Sequence, residues 1–251
     1  MVHMYQDMRV GLFQLLAPGE DDRGAIEEAL REVELAEELG YDSVWLAEHH
    51  FGGIGMIGAP SVYAAAIAQR TSRIRIGYGV AVVPLHQPLR LAEEISWVDH
   101  LSGGRLMVGF GAGFDERDFA GFGVPLGERH ARLREGIGVI RRALTDGTVR
   151  PRPLTRPHPP FYRAAGSAES MREAIADGMP VLFGTKPLEE LRASLELYRS
   201  LGGDVSEAYV LRKSPADFDA LHALGVRNVI AWYERPLTAF SAPPACASAP
   251  R

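Results

Sequence analysis

Short apolar runs rich in β-branched and aromatic residues alternate with stretches at helical spacing along almost the whole chain, and this alternation constrains the fold more than any single motif. Strands are predicted over 9–15, 42–47, 74–83, 106–110, 161–165, 180–183, 208–211 and 228–232. Helices are predicted between them over 26–39, 60–70, 89–100, 128–144, 168–176, 188–201 and 216–224. Gly40 stands where a left-handed cap would end the first helix, and Pro60-Ser61 opens the second. Residues 111–127 read as a long loop, and the proline-dense 151–160 as an extended connection. Eight alternating units predict an α/β chain closed into a (β/α)8 barrel. The competitor is an open doubly wound sheet, because periodicity does not demonstrate closure.

A chain of 251 residues, 46% apolar and 24% charged, suits one large domain. The expected division is a single barrel over 1–237 and a disordered tail over 238–251. The net charge of −5, without runs of like charge, points away from nucleic acid and anionic membranes and toward a small-molecule substrate. Cys246, the only cysteine, lies in the Pro/Ala/Ser-rich tail, so no internal disulfide or multi-cysteine metal site can form. The amino terminus has no apolar signal core, and no segment approaches the roughly 18 apolar residues of a membrane span. A soluble cytoplasmic protein is expected.

The second strand ends abruptly in Glu48-His49-His50-Phe51 and runs into Gly52-Gly53-Ile54-Gly55. At the carboxyl end of a barrel strand such polar groups belong to an active-site rim, where an imidazole can serve as general base. Packed or solvent-facing histidines are the bland alternative. Glu48 and His50 would share one face of the strand while His49 faces away. Two ligands do not make a metal site, and the other strand ends offer Gly111, Gly166, Gly184, Arg212 and Tyr233, so no metal is expected. A nucleophile elbow G-x-S-x-G is absent, which argues against acyl transfer.

Glycines at 77, 79, 109, 111 and 113 put small residues at the ends of strands three and four, where a flat ring could approach the backbone or where glycine simply serves packing. Neither segment completes G-x-G-x-x-G, so a Rossmann nicotinamide domain is not indicated. Gly166-Ser167-Ala168-Glu169-Ser170 opens a helix, where it could bind phosphate or where Ser167 could be an ordinary N-cap. Arg129 could add a cation there or form a surface ion pair.

Three segments together are specific: Gly40 through Phe51, Pro84-Leu85-His86-Gln87-Pro88-Leu89-Arg90-Leu91-Ala92-Glu93-Glu94, and Asp99-His100-Leu101-Ser102-Gly103-Gly104-Arg105. They are followed in order by Asp115-Glu116-Arg117-Asp118-Phe119, Phe122-Gly123, His158-Pro159-Pro160 and Ala165-Gly166-Ser167. With them the chain resembles the bacterial luciferase-like flavin monooxygenases from Met8 to about Arg199, and more weakly to Glu234. The resemblance implies a (β/α)8 barrel, a catalytic imidazole at His49, an acidic residue affecting the flavin at Asp118, and a non-proline cis peptide at Gly79-Val80 beneath the ring. It further implies phosphate contacts at Gly166, Ser167 and Ser170, with Arg129 a looser match. Gly111 and Ala112 stand where luciferase has cysteine and arginine, and Gln87 replaces a histidine.

The long insertion that family members carry between the later strands is absent, so the barrel is shortened in its second half and a lid would be missing or reduced. The activity implied is a two-component monooxygenase. Reduced FMN from a separate flavin reductase would react with O2 to oxygenate a small organic substrate, with His49 handling the proton, in a homodimer. The alternatives are an F420-dependent oxidoreductase working by hydride transfer and a non-catalytic flavin-binding protein.

Overall fold

The computed structural model describes residues 7–213, 217–233 and 237. Its strands are β1 (Arg9–Gln14), β2 (Ser43–Leu46), β3 (Arg75–Val82), β4 (Leu106–Gly111), β5 (Phe161–Ala164), β6 (Val181–Phe183), β7 (Tyr209–Lys213) and β8 (Asn228–Trp232). Its helices are α1 (Asp22–Leu39), α2 (Pro60–Arg70), α3 (Pro88–Leu101), α4 (Glu116–Gly121), α5 (Arg129–Asp146), α6 (Ala168–Ala176), α7 (Leu188–Ser200) and α8 (Phe218–Ala223). Each strand pairs in parallel with the next, and β1 also pairs with β8 through Arg9–Asn228, Val10–Val229, Gly11–Ile230 and Leu12–Ala231. That last pairing closes the barrel and excludes the open sheet.

Local chemistry sets the boundaries. Asp21 caps α1 by accepting from the Gly24 N–H, and Gly40 ends it at φ 86°, as the sequence predicts. Gln87 caps α3 by accepting from the Arg90 N–H, with Pro88 at the first helical position. The predicted loop over 111–127 instead holds α4, because Asp115 accepts from the Arg117 N–H and nucleates a short turn of helix. The proline-dense segment forms neither strand nor helix and contains cis peptides at Arg150-Pro151 and Arg156-Pro157. From β6 to β7 the chain uses only α7 and the turn over 201–208, the short connection the sequence predicts. The predicted tail over 238–251, with Cys246, lies outside the described residues.

Alternation along the strands separates two apolar layers. Val44, Leu46, Val108, Phe110 and Val229 face outward under the helices, in the main core. Trp45, Met107, Tyr162, Leu182, Tyr209 and Ile230 form a separate cluster that fills the barrel interior. Trp45 is its centre. The fully buried indole lies 4.7 Å from the Tyr209 ring and 5.7 Å from the Tyr162 ring, and its N–H donates to Ser43 Oγ at 3.0 Å. Its cross-strand neighbour on β3 is Gly77, where any Cβ would collide with the indole ring. The barrel interior is therefore a packed layer, and open space begins only above it.

Trp45→Ala should cost about 3 to 5 kcal/mol by emptying the interior, and Gly77→Ala about 1 to 3 kcal/mol by overfilling it. Denaturant midpoints with unchanged slopes would measure both losses. A Gly77→Ala protein as stable as the parent would show that the indole is not held against β3.

Candidate active site

Above the Trp45 layer, at the carboxyl ends of the strands, lies a cavity of about 660 Å³. Every strand contributes to its wall: Phe13 near the end of β1, Glu48 and His49 after β2, Gly79 and Val80 on β3, Gly111 to Asp115 after β4, Ala164 to Gly166 after β5, Leu182 to Lys186 around β6, Leu211 on β7, and Ile230 and Trp232 on β8. Apolar and aromatic groups dominate, with polar groups after β2 and β4 and again after β6, as in small-molecule sites. Phe13 and Trp232 meet across the β1–β8 seam with ring centroids 5.5 Å apart.

One polar wall is built from the Glu48-His49-His50 strand end, where Glu48 and His49 both border the cavity and His50 stands outside its lining, so the predicted opposition holds for His49 and His50 but not for Glu48. His49 faces the cavity, with Nδ1 3.5 Å from Asp118 Oδ2 and no hydrogen-bond partner for that buried nitrogen. Phe114 stands edge-on to its ring at 5.8 Å. Asp118 is buried in the first turn of α4, and its Oδ1 accepts from the His50 N–H at 3.2 Å.

Beside His49 at the edge of the cavity, Glu48 is fully enclosed. Its Oε1 accepts from His50 Nε2 at 2.9 Å and from His86 Nε2 at 2.8 Å, while Oε2 accepts from the Val82 N–H at 2.9 Å. Burial alone would raise the carboxyl, but these donors win and hold it down at about 2. Burial likewise works against the charged form of His86, yet the hydrogen bond and charge of Glu48 raise His86 above its ordinary value. Phe51, which follows, is in the left-handed region at φ 56°, a conformation costly for an aromatic residue, and its ring covers the position that a Cβ at Gly121 would need.

The predicted glycine wall is present, with one difference. The Gly79–Val80 peptide is cis, as the resemblance implies, and the β3–β4 register shifts between Tyr78 and Ala81. The space left by the missing side chain of Gly111 is occupied by Val80, and that of Gly109 by Leu182 and the Tyr78 carbonyl. These glycines therefore seat neighbouring groups of the wall, while Gly79 and Gly111 both border the cavity.

The phosphate turn is only partly at the cavity. Gly166 lines it, with open space around its Cβ position. Ser167 and Ser170 close on each other as a capping box for α6: Ser167 Oγ accepts from the Ser170 N–H, and Ser170 Oγ accepts from the Gly166 and Ser167 N–H groups. Both serines, and Arg129, whose guanidinium donates to the Leu126 carbonyl, stand outside the lining. The ordinary capping alternative thus describes the serines as they stand here.

Three features were not read from the sequence. His86 reaches Glu48 while its neighbour Gln87, singled out for replacing a histidine, caps a helix. Asp115 joins His49 and Asp118, with one donor atom from each within 4.8 Å of the others. Asp115 and Asp118 already accept from the Arg117 and His50 N–H groups, so the protein's own donors satisfy part of this cluster. Lys186, one of two lysines in the chain, brings an ammonium to the β6 side, where it donates to Ser194 Oγ.

A closed barrel with a cavity of mixed polar and apolar lining at the strand carboxyl ends has the architecture of a (β/α)8 enzyme. The luciferase-like monooxygenase family matches residues 8–212, and the chain belongs to that family. Limonene 1,2-monooxygenase of Rhodococcus erythropolis is 37% identical over 145 residues, which are 56% of this chain and 38% of that protein. Among solved structures, the monooxygenase RslO1 of Streptomyces bottropensis superposes with a TM-score of 0.76 at 29% identity, covering 87% of this chain and 75% of that one. The oxygenating constituent of 3,6-diketocamphane monooxygenase from Pseudomonas putida, in complex with FMN, gives 0.70 at 21% identity over 82% and 67%. An F420-dependent secondary alcohol dehydrogenase gives 0.76 at 15% identity over 96% and 99%. The last two likenesses concern the fold. The chain spans about half or less of the length of the first curated relatives it matches. No helix among the described residues is long and apolar enough to cross a membrane.

The Glu48 cluster makes stability depend on pH. Glu48 contributes stability above its unfolded value near 4.5, and the contribution is lost as pH falls from there toward about 2. His86, raised in the folded protein, contributes below its unfolded value of 6.5 and loses that contribution as pH rises through its folded value. Near pH 5.5, Glu48→Gln should lower stability by about 3 to 5 kcal/mol, the typical cost of breaking a buried pair. Urea midpoints should show this difference narrowing toward pH 2. A pH-independent difference would contradict the buried ionised carboxylate.

Proposed function

We propose that this chain is a flavin-dependent monooxygenase that uses reduced FMN and O2 on a small, largely apolar organic substrate. The observation that carries the reading is the buried, unpartnered Nδ1 of His49 facing Asp118 inside an apolar cavity walled by Gly79, Val80 and Gly111. The fit of a flavin is supported by the backbone-lined wall at β3 and β4 and by the open side of Gly166. A bound reduced flavin would supply the electrons for oxygen chemistry, as cofactors generally carry the difficult step.

The chain's own residues would do the rest. Gly79, Val80 and Gly111 would bear on the ring. Gly166, Ser167 and Ser170 would receive the phosphate at the α6 amino terminus, where the helix dipole favours an anion, with the capping hydroxyls turning to the ligand. Arg129, or Lys186 from within the lining, would add positive charge. Asp118 would orient His49 by taking the Nδ1–H, which leaves Nε2 to accept or give a proton. Phe13, Leu211, Ile230 and Trp232 would exclude water and accept the substrate's apolar body. The proposal includes a separate flavin reductase, a homodimer, a single barrel domain over 1–237 and a cytoplasmic location.

A second reading is hydride transfer with F420. It is favoured by the shortened β6–β7 connection together with a superposition that covers nearly the full length of an F420-dependent dehydrogenase.

Anaerobic titration with reduced FMN and with reduced F420, followed by admission of O2, separates the readings. Selective binding of reduced FMN with O2-dependent substrate oxygenation supports the monooxygenase, selective F420 binding moves the chain to hydride transfer, and flavin binding without turnover makes it a carrier. On the first outcome, His49→Asn should lower turnover by about 10² to 10⁴ while leaving FMN affinity within a few-fold. Undiminished turnover in that variant would remove His49 from the proton-handling role.

A further inference from the structure

The most heavily bonded polar group near the cavity is one the reaction does not need to touch. Glu48 has no exposed side-chain surface, yet it receives three hydrogen bonds: from His50 on its own strand end, from Val82 at the end of β3, and from His86 in the turn that follows β3. The cis Gly79–Val80 wall lies just before Val82 on the same strand. His49 sits between Glu48 and His50 in the chain. The strand end is therefore pinned on both sides of the residue whose ring enters the cavity, and the His50 N–H adds a tie to Asp118 on α4.

We propose that Glu48 and His86 are a positioning pair for His49: their buried contact ties the β2 rim to the β3 rim and keeps the His49 imidazole directed into the cavity beside Asp118. The inference rests on the reading of His49 as the proton-handling residue. It adds the means by which His49 is held, and it assigns a role to a histidine that sequence reasoning passed over in favour of Gln87.

Physical reasons favour His86 as the controlling partner. Removing both charges from water is costly, and the cost is recovered only when geometry and hydrogen bonding are complete, as they are at both Glu48 oxygens. His50 donates to the same Oε1 but packs its ring edge-on against Phe122 at 4.7 Å, away from the cavity lining. His86 retains a partly exposed edge, with 20% of its side chain accessible, so its protonation can follow the solvent. The ionisable groups acting on His86 are Glu48 from the β2 rim and Glu94 from α3, both acidic and both favouring the imidazolium. Those facing His49 are Asp118 and Asp115. When His86 loses its proton, the Glu48 carboxylate loses a charged donor, and the tie between the rims weakens.

The test compares the parent chain with His86→Gln and Glu48→Gln, first without cofactor. Histidine ring NMR, with His86 assigned by the signal missing from His86→Gln, should show His86 titrating above 6.5 in the parent and at or below that value in Glu48→Gln. The cross-relaxation between the His49 and Phe114 rings, whose centroids are 5.8 Å apart, should persist in the parent below the His86 titration. It should fade above that titration and be absent at every pH in a folded His86→Gln. His86 titrating at its ordinary value, or a His49–Phe114 contact indifferent to pH and to both substitutions, would overturn the pair.

Reduced FMN supplies a second readout. Its affinity for the parent should fall by about tenfold, or roughly 1.4 kcal/mol converted at room temperature, as pH rises through the His86 titration. The profile of His86→Gln should be flat. Superimposable profiles would count against the proposal. If no chain binds FMN, the cofactor reading fails alone, because the ring titrations and the His49–Phe114 contact still decide the pair. Should Glu48→Gln not fold, His86→Gln and the pH dependence of the parent carry the decision.

Discussion

The hydrogen-bonded ring of eight parallel strands is the constraint on which everything else in this protein depends. A strand left at an edge would expose unpaired backbone groups, and pairing β1 with β8 removes both edges at once. Because all strands run the same way, closure gathers their carboxyl ends into one mouth. Residues distant in sequence, such as Phe13, His49, Gly111, Lys186 and Trp232, thereby line one cavity. The interior below is plugged by Trp45, admitted by the missing side chain of Gly77, so the cavity has a solid floor.

At the mouth, the design problem is to present an imidazole with a free nitrogen while keeping the loops around it in place. The chain divides the work among the residues of one strand end. His49 faces the cavity; Glu48, enclosed at its edge, is engaged with β3 and the turn beyond it, and His50, outside the lining, donates to Glu48. The enclosed carboxylate would be unfavourable without its three donors. With them it joins the end of β2 to the end of β3 and the turn beyond it, 34 to 38 positions away in the chain. The same strand end reaches α4 through Asp118, so the short helix that interrupts the predicted loop over 111–127 belongs to the site's scaffold.

Much of this was legible in the sequence. The strand positions, the αL cap at Gly40, the opposed directions of His49 and His50, and the short connection after β6 follow from period, cap chemistry and length. The cis Gly79–Val80 peptide was implied by resemblance to the family, not by the residues alone. What was missed has a common cause. Asp115 looked like one more loop carboxylate, and only its bond to the Arg117 N–H makes it a cap. Gln87 attracted attention as a replaced histidine, whereas the imidazole that matters geometrically is one residue earlier and turned toward Glu48. Ser167 and Ser170 were ambiguous between phosphate binding and capping, and in this structure they cap.

By itself, then, the sequence determined the alternation of eight strands with helices, the polar strand end at Glu48-His49-His50 and the glycine-rich ends of β3 and β4, because these are local properties of periodicity and residue type. Tertiary structure decided that the sheet closes, that Val80 fills the space beside Gly111, and that His86 and Glu48 meet 38 positions apart in the chain. Such contacts depend on which side chains the barrel's curvature and register bring together. That information lies in the pairing of distant strands, which no local pattern contains.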